Sequence, residues 1–452
     1  MYLETLIVLV IIIVWEVIKK TYHAYIHGRF TDVFSDYLYL DANATTPIYP
    51  QALAAYCKYT TVGNASTTYA ARIGDISLLM EESNSLISDW LSLTDHKIIW
   101  NSGASEGNNY VIRTIADIGC DTGALPHIIA SSIEHKTSLS CLEQLSQAGK
   151  IQYTLIQPDM YGCIDPVSVA HVIKPNTKLI TIMHTNNELG SVNPIQLIGE
   201  VAAKYNCMFH VDAAQALGKC RIDIPGCHID ALTASSHKFY GPTGTGLLIL
   251  SSRFVNRPQI TGMQFEGLRG GTENIPCIAA STVALKETWA NRVDKNIKLH
   301  KLKRRIVSAL DKEFGLIPFS ELYNQPDSCR YGKELELKVI VLGETDSTLT
   351  YPSMQASPNT LLLSVVKTGA YDDNMRFCNI NLKQALLDRK IIISIGSACN
   401  TGKTGPSHVL QAIKAPYIVR SGTFRISLMD TSDASDVQKL ITNLITCINL
   451  QK

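Results

Sequence analysis

The sequence lacks the marks of several function classes. Its 41 basic and 40 acidic residues leave a net charge of +1, so no global field draws nucleic acid or an anionic membrane to it. The 12 cysteines contain no Cys-x-x-Cys pair and no His/Cys spacing that suits zinc. No metal site or disulfide framework is therefore expected, and the thiols read as reduced in a cytosol-like compartment. All but one read as small buried apolar side chains. No internal repeat or low-complexity tract interrupts the chain. No small-residue cleavage site follows the apolar N-terminus, which disfavours a secretory signal peptide.

What is present begins with size. The chain has 452 residues, 46% of them hydrophobic, enough for a substantial core and, at ~150 residues per domain, roughly three domains. Residues 1–30 stand apart. Leu6 to Trp15 is uninterrupted apolar sequence, shorter than the ~20 residues of a membrane span, though its flanks extend it to a marginal one. Lys19, Lys20 and Arg29 lie on its C-terminal side, which would keep the body of a single-pass anchored protein facing the cytosol. This segment reads as a membrane anchor in preference to a buried or interfacial hydrophobic helix.

From Tyr37 onward short apolar runs alternate with amphipathic stretches, the pattern of an α/β sheet. Strands are expected at Lys97–Trp100, His127–Ser131, Gln152–Ile156, Lys178–Met183, Met208–Val211, Ala231–Ala234 and Leu247–Leu250, with helices at Val111–Ile118, Lys136–Ser146 and Ile195–Tyr205. One long basic helix, Ala279 to about Leu310, should then lead into a smaller region with strands at Leu337–Leu342, Leu361–Val366 and Ile391–Ser394 and a helix at Leu382–Leu387. The expected units are 37–290 and 291–452. The cluster Lys298, Lys301, Lys303, Arg304 and Arg305 reads as a solvated helix face.

The candidate chemistry gathers at predicted strand ends. Ser102-Gly103-Ala104-Ser105 opens a helix whose N–H groups, with the Ser105 hydroxyl, suit a phosphate. Asp212 ends a strand, where such a sheet presents ligand contacts, and a carboxylate there suits a protonated pyridine nitrogen. His135, just past another strand, can stack on such a ring and move protons. Asn186 and Asn187 follow a fourth strand, with amides for a ring hydroxyl. Ser235-Ser236-His237-Lys238 supplies the lysine. Taken singly these are capping, turn or solvated residues; together they read as a pyridoxal 5'-phosphate site.

With these motifs in this order, the chain resembles the NifS/IscS-type cysteine desulfurases of the class V aminotransferase group. The likeness runs from Leu40-Asp41-Ala42-Asn43-Ala44-Thr45-Thr46-Pro47 to about Ser427, through Glu134-His135-Lys136, Asn186-Asn187-Glu188, His210-Val211-Asp212-Ala213-Ala214-Gln215, Ser236-His237-Lys238 and Arg269-Gly270-Gly271-Thr272. It implies a type I aminotransferase-like fold, with a large mixed, mostly parallel sheet domain and a smaller α/β domain behind the N-terminal hydrophobic helix. It implies that Lys238 carries the cofactor, Asp212 meets the ring nitrogen, Gln215 and Asn187 contact the ring-hydroxyl side, and His135 stacks and acts as acid and base. Ala104, Ser105, Ser235 and His237 would hold the phosphate, and Thr272 would reach the phosphate of a neighbouring subunit, which implies a homodimer.

Gly396-Ser397-Ala398-Cys399 to Leu410 is similar to the family's reactive-cysteine loop, whose polar, glycine-rich sequence suits an accessible nucleophilic thiol. Arg425, with Asn187, matches the substrate-binding position, and its forked donors suit a carboxylate. The implied reaction converts L-cysteine to L-alanine and leaves a persulfide on Cys399 for a sulfur-acceptor protein such as an iron–sulfur scaffold. A selenocysteine lyase, another class V lyase or aminotransferase, and a non-catalytic membrane-tethered scaffold are the alternatives. Three stretches depart from the family pattern. The run 63–71 lacks a proline and a histidine, the approach to Thr272 at 261–267 is altered, and about 337–357 reads as inserted.

Overall fold

The computed structural model describes residues 36–61, 64, 76–343, 356–369, 376–395 and 407–451. The N-terminal hydrophobic segment, most of the 63–71 run, Cys399 and much of the expected insertion lie outside these. Among the described residues no helix is long and apolar enough to cross a membrane.

The described strands are β1 (Leu38–Tyr39), β2 (His96–Asn101), β3 (His127–Ser131), β4 (Gln152–Ile156), β5 (Thr177–Thr181), β6 (Met208–Asp212), β7 (Ala231–Ser235), β8 (Gly246–Ser251), β9 (Leu337–Leu342), β10 (Thr360–Lys367), β11 (Ile391–Ile392) and β12 (Thr423–Ser427). Seven form one sheet in the order β2-β8-β7-β6-β5-β3-β4. Only β8 runs against the others, pairing antiparallel with both β2 and β7. The central strands β3 and β7 read as mainly apolar or small runs because both faces are covered, and all of β3 and β7 is buried. Their carboxyl ends share one edge, where loops leave the sheet and backbone N–H groups are free to meet a ligand.

A second, antiparallel sheet orders β12-β10-β9, and β1 pairs with β11 in parallel. Leu38 and Leu40 pack among Leu302, Ile306, Phe424 and Leu440. The first strand therefore belongs to the C-terminal core, and the expected 37–290 unit loses its opening residues to 291–452. Leu337–Leu342 pairs with β10 through six residues, so this strand is an integral part of the second sheet and any inserted material follows Leu342.

The single long helix expected at 279–310 is two, Ile275–Trp289 and Arg292–Phe314. Ala290 is extended and Asn291 left-handed at φ 55°, a conformation that Asn tolerates better than most residues. The basic face is not uniformly solvated either. Lys303 is fully buried and its Nζ donates to Ser357 O at 2.9 Å, because the helix packs that face onto the C-terminal sheet. The described cysteines are all free, but Cys57 and Cys120 are exposed rather than buried.

Candidate active site

Five loops from the carboxyl edge of the large sheet, with the N-terminal turn and β12, enclose a cavity of about 540 Å³, within the range of cofactor sites. Its lining includes Ala104, Ser105, His135, Asn187, Asp212, Gln215, Ser235, His237, Lys238 and Arg425. Thr272 is exposed and outside this lining. Cys399 lies outside the described residues, but Ser394 lines the cavity. On the far flank, Ser407 Oγ donates to Glu188 Oε2 at 2.6 Å, and His408 Nε2 meets Glu134 O at 3.0 Å.

Lys238 projects from the 3₁₀ turn Ser236–Lys238 that ends β7. Its Nζ donates to Asn43 O at 2.7 Å and Ala44 O at 2.8 Å. Burial, reinforced by the Arg425 charge and opposed by Asp41 and Asp212, pushes its pKa down to about 8. The amine is thus accessible in its uncharged, nucleophilic form near neutral pH.

Asp212 ends β6 and is held from two sides: Oδ1 accepts from Ala214 N at 2.9 Å and Oδ2 from Asn108 Nδ2 at 2.7 Å. Gln215 Nε2 donates to Asn43 O at 3.0 Å, and its Oε1 accepts from Lys219 Nζ at 3.1 Å. Lys219 is itself buried, and desolvation followed by the Lys238 charge brings it down to about 7. His135 caps the helix Lys136–Gln147, with Nδ1 accepting from Thr137 N at 3.3 Å. The proton of the neutral ring therefore sits on Nε2. Burial lowers its pKa against the pull of Asp212. The capping role and the cavity-facing role coexist in one side chain.

The helix Ala104–Thr122 starts at Gly103, whose φ of 139° is open only to glycine and whose absent side chain leaves Ser235 Oγ room. No side chain among the described residues caps this N-terminus, and its first residues Ala104 and Ser105 line the cavity with Ser235, an arrangement suited to phosphate. His237 Nδ1 meets Thr45 Oγ1 at 3.1 Å, and burial takes its pKa down to about 4. Opposite, Arg425 is buried on β12. Its Nη1 donates to Asn187 O at 2.8 Å and its Nη2 to Asp41 Oδ1 at 2.5 Å, while Nε has no partner among the described residues.

The model of the family described as aminotransferase class-V matches residues 38–333. The chain belongs to that family. It is 32% identical over 408 residues to a protein named cysteine desulfurase IscS from Methanosarcina thermophila, covering 89% of this chain and 90% of that one. It is 30% identical over 411 residues to cysteine desulfurase 2 of Trichormus variabilis, covering 89% and 91%. Within the class-V family it is of the NifS/IscS type. Among solved structures, a NifS-like protein superposes with a TM-score of 0.75 at 24% identity, covering 92% of this chain and all of the other, which shows the fold. SspA in complex with cysteine matches with a TM-score of 0.64 at 29% identity, covering 86% and 98%.

Several site residues carry no role in the sequence reading. Asn43 contributes its backbone carbonyl to both Lys238 and Gln215; a main-chain acceptor has no residue-type signature. Asp41 and Lys219 sit inside the Leu40–Pro47 and Asp212–Gln215 regions of resemblance or just past them, and adjacency to assigned residues was the available signal. Buried Glu134 accepts from Ser131 Oγ at 2.6 Å and Met183 N at 2.8 Å, linking the loops after β3 and β5 beside His135; burial pushes its pKa up to about 8.

Proposed function

We propose that this class-V enzyme is a pyridoxal-phosphate-dependent cysteine desulfurase that converts L-cysteine to L-alanine and takes the sulfur onto Cys399. The observation that carries the reading is the convergence of a half-buried, readily deprotonated Lys238, the Asp212 carboxylate and the Arg425 guanidinium in one cavity, which Ser394 before Cys399 also lines, while His408 after it contacts the carbonyl of Glu134 next to the cavity residue His135. When bound, pyridoxal phosphate supplies an electron sink that stabilises negative charge at a substrate α-carbon.

The chain's own residues divide the rest. Lys238 anchors the cofactor through its amine and, once displaced, holds the α-proton. Asp212 neutralises a protonated ring nitrogen, and Gln215 and Asn187 offer amides to the ring-hydroxyl side. His135, neutral with its proton on Nε2, stacks and donates. Ala104, Ser105, Ser235 and His237 hold the phosphate. Arg425, which lines the cavity, donates to the substrate carboxylate. The Cys399 thiolate attacks the substrate sulfur; the carbon–sulfur bond breaks, a sulfur–sulfur bond forms, and the substrate carbon leaves reduced as alanine. No external oxidant is needed. The persulfide then passes to an acceptor protein, and exposed Thr272 completes the site of a second copy in a homodimer.

The test is incubation of purified holoenzyme with L-cysteine and a thiol reductant. Alanine and sulfide should form in equal amounts; a protein that holds the cofactor and yields no alanine would refute the activity.

A further inference from the structure

Asp212 does not stand alone at the end of β6. Thr181, His210, Thr233 and Asn108 are all buried to within 1% of full coverage. They lie side by side because of strand register, β5 setting Thr181 against His210 and β6 setting Asp212 against Thr233. His210 and Asp212 are two apart on one strand and so share a face. The helix Ala104–Thr122 covers that face closely, since a Cβ on Gly107 would come within 2.5 Å of Thr233 Cγ2. This approach brings Asn108 down onto both Thr233 and Asp212.

Each contact in this row has one possible direction once the carboxylate is fixed as an acceptor and the buried His210 ring is neutral. Asn108 must turn its amide Nδ2 to Asp212 Oδ2, at 2.7 Å. Its Oδ1 then faces Thr233, which spends its only hydroxyl proton there. Thr233 Oγ1 can therefore only accept from His210 Nε2, 3.4 Å away. His210 Nδ1 is left bare to accept from Thr181 Oγ1 at 2.8 Å. We infer that Thr181, His210, Thr233 and Asn108 form a one-way hydrogen-bond chain of positioning residues, with the histidine proton on Nε2, that aims every donor toward Asp212 and locks its carboxylate for the cofactor ring. Burial holds His210 neutral, at a pKa of about 4, in keeping with the chain's polarity.

This inference rests on the reading of Asp212 as the ring partner, and its test separates the two. In protein labelled with ¹⁵N-histidine, with His210 assigned by His210→Gln, the His210 signals should show the neutral Nε2–H tautomer, unchanged between about pH 5 and 8. An Nδ1–H tautomer or a charged ring would overturn the chain whether or not pyridoxal phosphate binds. In holoenzyme, Thr233→Val removes the hydroxyl at constant shape. It should weaken pyridoxal phosphate affinity about tenfold and shift the pH midpoint of the bound cofactor's visible absorption, and Thr233→Ser should restore both. Equal affinity and midpoint in the folded valine variant would refute the positioning role. A wild-type protein that binds no pyridoxal phosphate while showing the Nε2–H tautomer would refute the cofactor reading and leave the chain standing.

Discussion

The two walls of the cavity are built by different means. On the large-sheet wall, Asp212, Lys238 and His135 each sit within about a turn of a strand's carboxyl end, where the chain leaves the sheet. On the opposite wall Arg425 is the middle residue of β12, paired with Leu362 across an antiparallel sheet. It is held by groups that belong to the first wall's side of the cavity, the Asn187 carbonyl, and to the N-terminal turn, Asp41. The first wall is preorganised by its own strands. The second depends on contacts that cross the cavity, so it should govern substrate binding more than cofactor chemistry.

Variants that break this contrast should differ in kind. Lys238→Ala removes the anchor itself and should lower alanine formation at least about a thousandfold, with loss of the cofactor's visible band in a spectrum of the purified protein. Asp212→Asn keeps the shape but not the charge. A fall in kcat of about a hundredfold or more is expected from steady-state alanine release, with cofactor still bound. Arg425→Ala should leave the visible spectrum intact and raise KM for cysteine about tenfold to a hundredfold, with a smaller change in kcat. If Arg425→Ala instead bleached the spectrum, the division between the walls would be wrong.

The smallest effect is on stability. In cofactor-free protein Lys238 titrates near 8 when folded, below its ordinary 10.5. Between these values the unfolded chain binds more protons than the folded one, so stability rises with pH across that window. Below about pH 8 the full penalty of burying the charge applies. Lys238→Met should therefore be the more stable protein at pH 7, and the wild type should close the gap toward pH 10. Thermal melts of both cofactor-free proteins, compared as a difference, check this; a gap independent of pH would contradict it.

The same contrast explains what could be read from the sequence. Strands β3 and β4 are visible to the residue, His127–Ser131 and Gln152–Ile156; β3 is a doubly covered parallel strand, a short apolar run bounded by polar turns, and β4, half-buried at the sheet edge, shows as a short run of β-formers after Gly149-Lys150. Polar residues at those boundaries, from Ser105 to Lys238, stand out against the apolar run that precedes them. Contacts fixed only by tertiary packing do not. Asn43 acts through its carbonyl, β1 crosses to the C-terminal core through the pairing Leu38 with Ile391, and Lys303 is buried although its neighbours Arg304 and Arg305 are exposed. The break at Asn291 replaces one long helix by two, in a stretch whose composition gives no proline or glycine to mark it.

The central claim is that sulfur leaves cysteine onto Cys399 while the Lys238 wall handles the carbon. The most direct measurement is mass spectrometry of holoenzyme after a single addition of L-cysteine without reductant, scored with alanine in the same sample. One persulfide on Cys399 per alanine is the predicted result, and Cys399→Ala should keep its visible cofactor band while forming neither. Wild-type alanine formation in Cys399→Ala, or a persulfide on another cysteine in its place, would contradict the account.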